Sequence, residues 1–473
     1  MKNFPKIILY LLRWAIQNEG KSNMKKRIGL IGDNSIKYIS TLLNILLEGN
    51  VAALIDWRIP LDIALSILHQ VGINECYIDS AKYRDTKKAK QFNITLFDAN
   101  QKGPEELPSS FYKRHKTIFT NQSKDDALIF FSSGTTGKAK GIRLSFAAIS
   151  HNVDAIIDYM RPSTNDTILI SKTLTHSSTV VGELFVGLKA NAKIIVEPTV
   201  ASPTFVLKNI KKYNVSIWCM NPTLLNIYSK LLGCGIHDIS SLKYVFISGS
   251  IADKGLLEEA KRNFKNVIIL NVYGLTEAGP RVTAQRISSA DKLGSVGSPI
   301  VGVDVKIISE DGQELPQNSM GIIHVNTLSI MNGYFNGVGK ESLYQGWLNT
   351  GDLGYIDDDG DLFVVGRTDN MILQGSHNVF PEEVENTLKQ HELINDCVVF
   401  GIRHDIYGER IICLYLSSCK IAENELRTHC LSLLAPYEVP SEFLKVEKLP
   451  YNSNGKLMRH SVKELYEQGD VKL

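Results

Sequence analysis

The stretch SSGTTGKAKG, residues 132–141, decides how the rest of the chain is read. It looks like a phosphate loop but departs from the Walker arrangement, which needs four residues between two glycines, then Lys and Ser or Thr leading into a helix. Here two residues separate Gly134 from Gly137, and Ala139 follows Lys138. The continuation, GIRLS at 141–145, alternates like a strand. The P-loop fold is therefore disfavoured, while the chemistry of the loop remains. Gly134, Gly137 and Gly141 let backbone N–H groups come close to an anion. Ser132, Ser133, Thr135 and Thr136 add hydroxyls, and Lys138 and Lys140 add charge. Such a segment can wrap a polyphosphate. The same residue types are ordinary turn composition, so the segment alone reads equally well as a surface turn.

The flanks supply a frame. ALIFF at 127–131 reads as a buried strand running into the loop, and Ser145 as the N-cap of a helix carrying Phe146, Ile149, Val153, Ile156 and Met160. Upstream, RIGLI (27–31) and VAALI (51–55) are strand-like. Between them lies a helical pattern of Ile36, Ile39, Leu43, Leu46 and Leu47, closed by Gly49. A second helical stretch covers 61–71 after Pro60. Downstream, KIIVE (193–197), SIWCM (216–220), YVFIS (244–248) and VIILN (267–271) are further short apolar strands. This alternation implies α/β layers. Residues 81–124, polar and lysine-rich, are expected to be surface and linker. From about 295 the texture changes to glycine-rich turns and alternating strands, and from about 370 to a small mixed unit.

Bulk properties exclude several classes. At roughly 100–200 residues per domain, a chain of 473 residues suggests two to four domains. Lys plus Arg number 52 against 50 Asp plus Glu, a balance that gives no push toward nucleic acid or anionic membrane. The seven cysteines form no CxxC pair, which argues against zinc-ribbon or thioredoxin-type sites and for reduced packing thiols in a cytoplasmic protein. The opening apolar run IILYLLRWAI is short and broken by Arg13, and no small-x-small cleavage site follows. Neither a signal peptide nor stable membrane insertion is expected.

Three further segments bear on the loop: YGLTEAG at 273–279, NTGDLGYIDDDGDLFVVGRTDNMILQGSHNVFPEEVE at 349–385, and NSNGKLMR at 452–459. In this order and spacing, from about residue 27 to about 460, the chain resembles the adenylate-forming superfamily of acyl-CoA synthetases, peptide-synthetase adenylation domains and luciferases. The opening loop is similar to that superfamily's SGTTGKPKG, with Ala139 in place of proline. Within the superfamily it looks most like bacterial medium- or long-chain fatty acyl-CoA ligases. The resemblance implies an α/β fold: a large N-terminal domain (1–368) of α/β sheet subdomains plus a β-rich subdomain, and a small mobile α+β lid (369–473). It implies two half-reactions. A carboxylate attacks the α-phosphorus of ATP to give acyl-AMP and pyrophosphate, and a thiol, usually of coenzyme A, then displaces AMP. Bringing two anions together calls for preorganised positive charge and Mg2+ rather than an acid–base triad.

The resemblance carries roles onto residues of this chain. Ser133, Gly134, Thr135, Thr136, Gly137 and Lys140 match the loop that handles the β- and γ-phosphates. Tyr273 matches a ring packed on adenine, with Gly274 beside it, Thr276 an α-phosphate contact, and Glu277 the Mg2+ ligand, a hard oxygen donor suited to that ion. In isolation, Tyr273 reads sooner as a core aromatic and Glu277 as a helix-start carboxylate. Gly249 and Ser250 match the adenine-pocket turn. Asp352 and Arg367 match the ribose contacts, where one carboxylate offers two oxygens. Asp369 matches the hinge, and Lys456 the catalytic lysine that meets carboxylate and phosphate together. Gly375 matches a glycine beside the pantetheine tunnel, although GSHN stands where GGEN is common, putting Ser376 and His377 there. His377 as a metal ligand is not expected.

His176, in LTHSSTVVGEL, matches the histidine at the acyl-pocket wall. Amino-acid-activating members usually follow it with aspartate; Ser177 here argues against an amino acid substrate, because a buried ammonium would lack its partner. Val180, Val181, Leu184, Phe185 and Trp218 suit an apolar acyl chain or, equally, a core. Only about 26 residues precede the first strand, without the Tyr-x-Glu-Leu segment of most members, which implies a trimmed N-terminal subdomain. The resulting expectation is an ATP- and Mg2+-dependent fatty acid–CoA ligase. The alternatives are an acyl-AMP ligase loading an acyl carrier protein, an aryl-acid CoA ligase, and a nucleotide-binding regulatory pseudoenzyme.

Overall fold

Each short apolar strand read from the sequence takes its place in one of two mainly parallel sheets. The computed structural model describes residues 25–98, 103–114, 118, 121–133, 139–199, 201–235, 237–252, 254–287, 290–335, 342–374, 377–404, 408–451 and 457–469. The first sheet runs in the order Gly333–Tyr334, Ala139–Ser145, Asp126–Ser133, Val51–Ile55, Arg27–Ile31, Glu75–Asp79, Asn93–Phe97. Its pairings are parallel from Asp126–Ser133 to Asn93–Phe97, and antiparallel where the loop-bearing hairpin closes the other edge. The second sheet has a parallel centre ordered Ile268–Tyr273, Tyr244–Ile247, Ile217–Met220, Thr167–Ile170, Lys193–Val196. These strands are continuous Val/Ile/Leu-rich runs because both faces are covered.

The main core lies between the two sheets. It takes Leu42 and Leu46 from the helix Ile36–Leu47, Val153 and Ile156 from the helix Phe146–Met160, and Val181, Leu184 and Phe246 from the second sheet and its crossovers. Separate clusters cover the outer face of each sheet. Helix starts obey their local signals. Ser35 accepts from the Tyr38 amide at 3.0 Å, and Ser145 from the Ala148 amide at 3.1 Å, as expected from the sequence for Ser145. One buried amide stitches the sheets together. Asn34 donates to the carbonyls of Lys172 (2.8 Å) and Glu197 (3.0 Å) and accepts from the Leu174 amide (2.9 Å). The stitch holds the segment leading to His176.

The β-rich region forms a third sheet, with Trp347–Ile356 paired to Gly321–Thr327 and to Leu362–Arg367. A fourth sheet, built on the long hairpin Asp396–His404 and Gly408–Leu416, has its own core on each face. The fold is thus a mixed α/β fold with a larger N-terminal and a smaller C-terminal part.

Two expectations need correction. The polar span 81–124 is not only linker. Asn93–Phe97 is the edge strand of the first sheet, Glu105–Glu106 pairs with the second, and Ser109–Arg114 is helical. An edge strand exposes most of its side chains, here burying only Phe97 fully, so its composition reads as surface. Of the seven cysteines, all free, five are buried packing residues, but Cys234 and Cys419 are exposed. Among the described residues no helix is long and apolar enough to cross a membrane.

Candidate active site

In open α/β sheets ligands gather at the carboxyl ends of the strands. Tyr273 ends the strand Ile268–Tyr273, and the parallel register Ile247↔Asn271 brings Gly249 level with it at the end of the neighbouring strand. Gly249 has φ +101°, a conformation strained for any side chain, and both it and Ser250 are exposed. After Tyr273 the chain is packed too closely for a side chain at 274. A Cβ on Gly274 would lie 1.9 Å from the Pro280 carbonyl oxygen and 3.0 Å from the Arg281 Cα.

Thr276 and Glu277 follow in a short helical turn. The Thr276 and Ser177 hydroxyls are 2.8 Å apart, which joins this segment to the one carrying His176. Glu277 accepts a 2.9 Å hydrogen bond from the Tyr334 hydroxyl, and its carbonyl accepts from the Met331 amide at 2.9 Å. Tyr334 pairs with Ile142 on the strand that leaves the opening loop, and the Lys140 ammonium lies 5.6 Å from its ring. Tyr334 therefore ties the strand that follows the opening loop to Glu277. Burial, with Glu277 adding to it, pushes the Tyr334 hydroxyl far up, so it stays a donor. That bond uses one of the lone-pair positions of the carboxylate, and others remain for a metal. Among the described residues no group of three His, Cys, Asp or Glu side chains is assembled for a metal. A single carboxylate still fits Mg2+, which is commonly held by one or two carboxylates with substrate phosphates and water.

Asp352 and Arg367 face each other across the third sheet, as paired residues of neighbouring strands. The Tyr273 hydroxyl donates to one Asp352 oxygen at 2.6 Å, and Arg367 Nη1 to the other at 3.1 Å. Burial, and secondarily Asp352, raise the Tyr273 hydroxyl well above its ordinary range. The sequence-matched adenine and ribose residues thus form one hydrogen-bonded set. Replacing Asp352 by Asn removes the charge from both bonds. At about 1.5–3 kcal/mol for a hydrogen bond to a charged group, the KM for ATP is expected to rise roughly 10- to 100-fold. The KM for the acid should change little; an unaltered KM for ATP would refute the assignment.

His176 stands just before the turn Ser177–Thr179, and its carbonyl accepts from the Thr179 and Val180 amides. Nearby, burial pushes the Asp56 carboxyl up, but Arg58, at 2.5 Å, outweighs it and holds the group below its ordinary range, with His176 contributing least. Val180, Val181, Leu184 and Phe185 are fully buried in the main core. Trp218 projects from the opposite face of its sheet, packing on Tyr228 with ring centroids 4.4 Å apart and donating to Ser171 at 2.8 Å. It cannot share a pocket wall with Val180, because successive strand residues point to opposite faces. His377 stacks on Tyr437 at 4.1 Å. Asp369 lies in the short turn Thr368–Asn370, with its carboxylate 3.7 Å from Arg367.

Gly134, Thr135, Thr136, Gly137, Gly375 and Lys456 lie outside the described residues, as do the side chains of Ser133 and Ala139. Their flanks are clear. Ser133 pairs with Ala139, and Tyr451 with Leu457. The partner that sequence reasoning missed is Tyr334; its GYF context at 333–335 carries no local signal that it would meet Glu277.

A model of AMP-binding enzymes matches residues 16–335, and one of the AMP-binding enzyme C-terminal domain matches residues 383–456. The chain belongs to the AMP-binding enzymes. Its relatives include the 2-succinylbenzoate–CoA ligase of Bacillus pumilus, 32% identical over 80% of this chain and 78% of the relative. Another is that of Bacillus velezensis, 33% identical over 72% and 69%. Among solved structures, the Bacillus subtilis O-succinylbenzoate coenzyme A synthetase in complex with AMP superposes with a TM-score of 0.80 at 25% identity, covering 95% of this chain and 91% of that one. MatB from Rhodopseudomonas palustris, at 20% identity and a TM-score of 0.82 over 96% and 91%, shares the fold. This AMP-binding enzyme is accordingly an AMP-forming acid–thiol ligase of the adenylate-forming superfamily.

Proposed function

We propose that the chain is an ATP- and Mg2+-dependent aryl-acid–CoA ligase whose substrate is 2-succinylbenzoate or an acid of that class. The observation that carries this reading is the agreement of its relatives, named 2-succinylbenzoate–CoA ligases at 32% and 33% identity over most of both chains. That agreement favours the aryl-acid alternative over the fatty acid.

In this reading Tyr273, Asp352 and Arg367, with the turn at Gly249 and Ser250, orient adenosine. Lys140, Thr276 and the loop residues Ser133, Gly134, Thr135, Thr136 and Gly137 hold the phosphates. Glu277 would hold Mg2+, which when bound would supply charge neutralisation at the phosphates. Tyr334 fixes the carboxylate that receives it. Lys456 lowers the repulsion as a carboxylate oxygen bonds the α-phosphorus and the bond to pyrophosphate breaks. The thiol sulfur of coenzyme A, entering beside Gly375, then bonds the acyl carbon as the C–O bond to AMP breaks and AMP leaves. His176 and Ser177 flank the acid. The domain boundary falls at Asp369, where a few residues absorb the rotation between the two steps.

The test is ATP–pyrophosphate exchange with a panel of aromatic and fatty acids, followed by thioester formation with free coenzyme A or a carrier protein. Exchange driven by 2-succinylbenzoate and a coenzyme A thioester are expected. A stronger response to fatty acids, or transfer only to the carrier protein, would overturn the proposal.

A further inference from the structure

Two hydroxyls meet where the segment carrying His176 touches the YGLTE turn. Ser177 Oγ and Thr276 Oγ1 are 2.8 Å apart, and neither has another hydrogen-bond partner among the described residues. The two positions are 99 residues apart in the chain, and each is held by its own segment. On one side Asn34 accepts from the Leu174 amide at 2.9 Å, and the His176 carbonyl accepts from the Thr179 and Val180 amides at 3.0 and 2.9 Å. On the other, the Leu275 carbonyl accepts from the Ala278 amide at 3.0 Å, and the Thr276 carbonyl from the Gly279 amide at 3.1 Å. The fold, rather than two mobile side chains, brings the hydroxyls together. Their surroundings differ. Ser177 is 4% exposed, whereas Thr276 is half-buried in the short turn it shares with Glu277.

A hydroxyl has one hydrogen to donate, so only one of the two donates across this contact. Were Thr276 the donor, the Ser177 hydrogen would be buried without an acceptor, which is costly. With Ser177 as donor, its hydrogen is satisfied, and the Thr276 hydrogen is left at the half-buried end for a ligand. Burial thus sets the polarity of the pair. We infer that Ser177 is a positioning residue for adenylation. It donates to Thr276, turns the Thr276 hydrogen toward the α-phosphate, and strengthens that donor, because hydrogen bonds in a chain polarise one another. Its own hydroxyl is then no donor to the acid it flanks. The inference rests on the reading above in which Thr276 holds phosphate, and not on which acid is activated.

The test is a double-mutant cycle on ATP–pyrophosphate exchange, driven by 2-succinylbenzoate, or by a fatty acid should that be the substrate. Thr276→Val keeps the side-chain shape and loses the hydroxyl. It is expected to lower the maximal exchange rate about 10- to 100-fold, the effect of losing one hydrogen bond to a charged group. Ser177→Ala is expected to lower that rate about 5- to 10-fold, the size of one neutral hydrogen bond. KM for the acid and for ATP should stay within about two-fold of normal, because the bond that Ser177 orients strengthens in the transition state. In the double variant, Ser177→Ala should add nothing to Thr276→Val, as for two residues acting through one interaction. Effects that multiply in the double variant, or a normal rate for Ser177→Ala alone, would overturn the inference. So would a rise in KM for the acid confined to Ser177→Ala, which would assign the hydroxyl to the acid instead. A normal rate for Thr276→Val would refute the phosphate role on which the inference rests.

Discussion

Lys456→Ala is expected to reduce ATP–pyrophosphate exchange by about two to three orders of magnitude, as when one preorganised charge is removed from a developing transition state. ATP binding, measured by equilibrium titration, should stay within a few-fold, because Tyr273, Asp352 and Arg367, the residues proposed to orient adenosine, are untouched. The reasoning is electrostatic. The attacking carboxylate and the triphosphate repel each other, and a flexible ammonium can meet both. The described residues on either side of position 456 are fixed in place. Tyr451 and Leu457 pair, the Met458 amide donates to the Pro450 carbonyl at 2.9 Å, and Arg459 anchors the segment on the fourth sheet. A Lys456→Ala enzyme that exchanges pyrophosphate at the normal rate would remove that residue from the mechanism.

The anchor leads to a second large effect. Arg459 Nη2 meets Glu385 at 2.7 Å and Glu382 at 3.4 Å, while its Nε donates to the Val399 carbonyl at 3.0 Å. Glu385 also accepts from the Val399 amide at 2.7 Å. The side chains of Arg459 and Glu385 are only 14% and 8% exposed. Burial pushes the Glu385 carboxyl up, and Arg459 opposes that shift. Removing one partner of a buried pair typically costs about 3–5 kcal/mol. Arg459→Met should therefore destabilise the C-terminal sheet selectively, seen as faster amide hydrogen exchange in Asp396–His404 with the strands of the first sheet unchanged. Adding Glu385→Leu should recover much of the loss, since a well-packed apolar replacement is often neutral. Unchanged protection in the single variant would show the pair to be dispensable. Because Arg459 sits three residues beyond Lys456, the single variant should also slow adenylation.

Signals confined to a few neighbouring residues survived into the structure. The cap at Ser145, the strands RIGLI, VAALI and ALIFF, and the texture changes near 295 and 370 all have their cause within a turn or two of chain. The ordered motifs likewise pointed to the superfamily, and Tyr273, Asp352 and Arg367 indeed share one hydrogen-bonded set. Local composition misled where its cause is not local. NITLF at 93–97 reads as polar surface because an edge strand shows one side to water, although its backbone extends a parallel sheet.

Chain order and residue chemistry sufficed to point to the family and to its α/β layers, and to name the residues proposed for the nucleotide. Folding alone settled which side of its sheet Trp218 takes, away from Val180, and which distant groups meet: Tyr334 with Glu277, and Ser177 with Thr276. The reason is that periodicity and capping act over a few residues, whereas burial of charge and pairing across sheets depend on segments tens to more than a hundred positions apart.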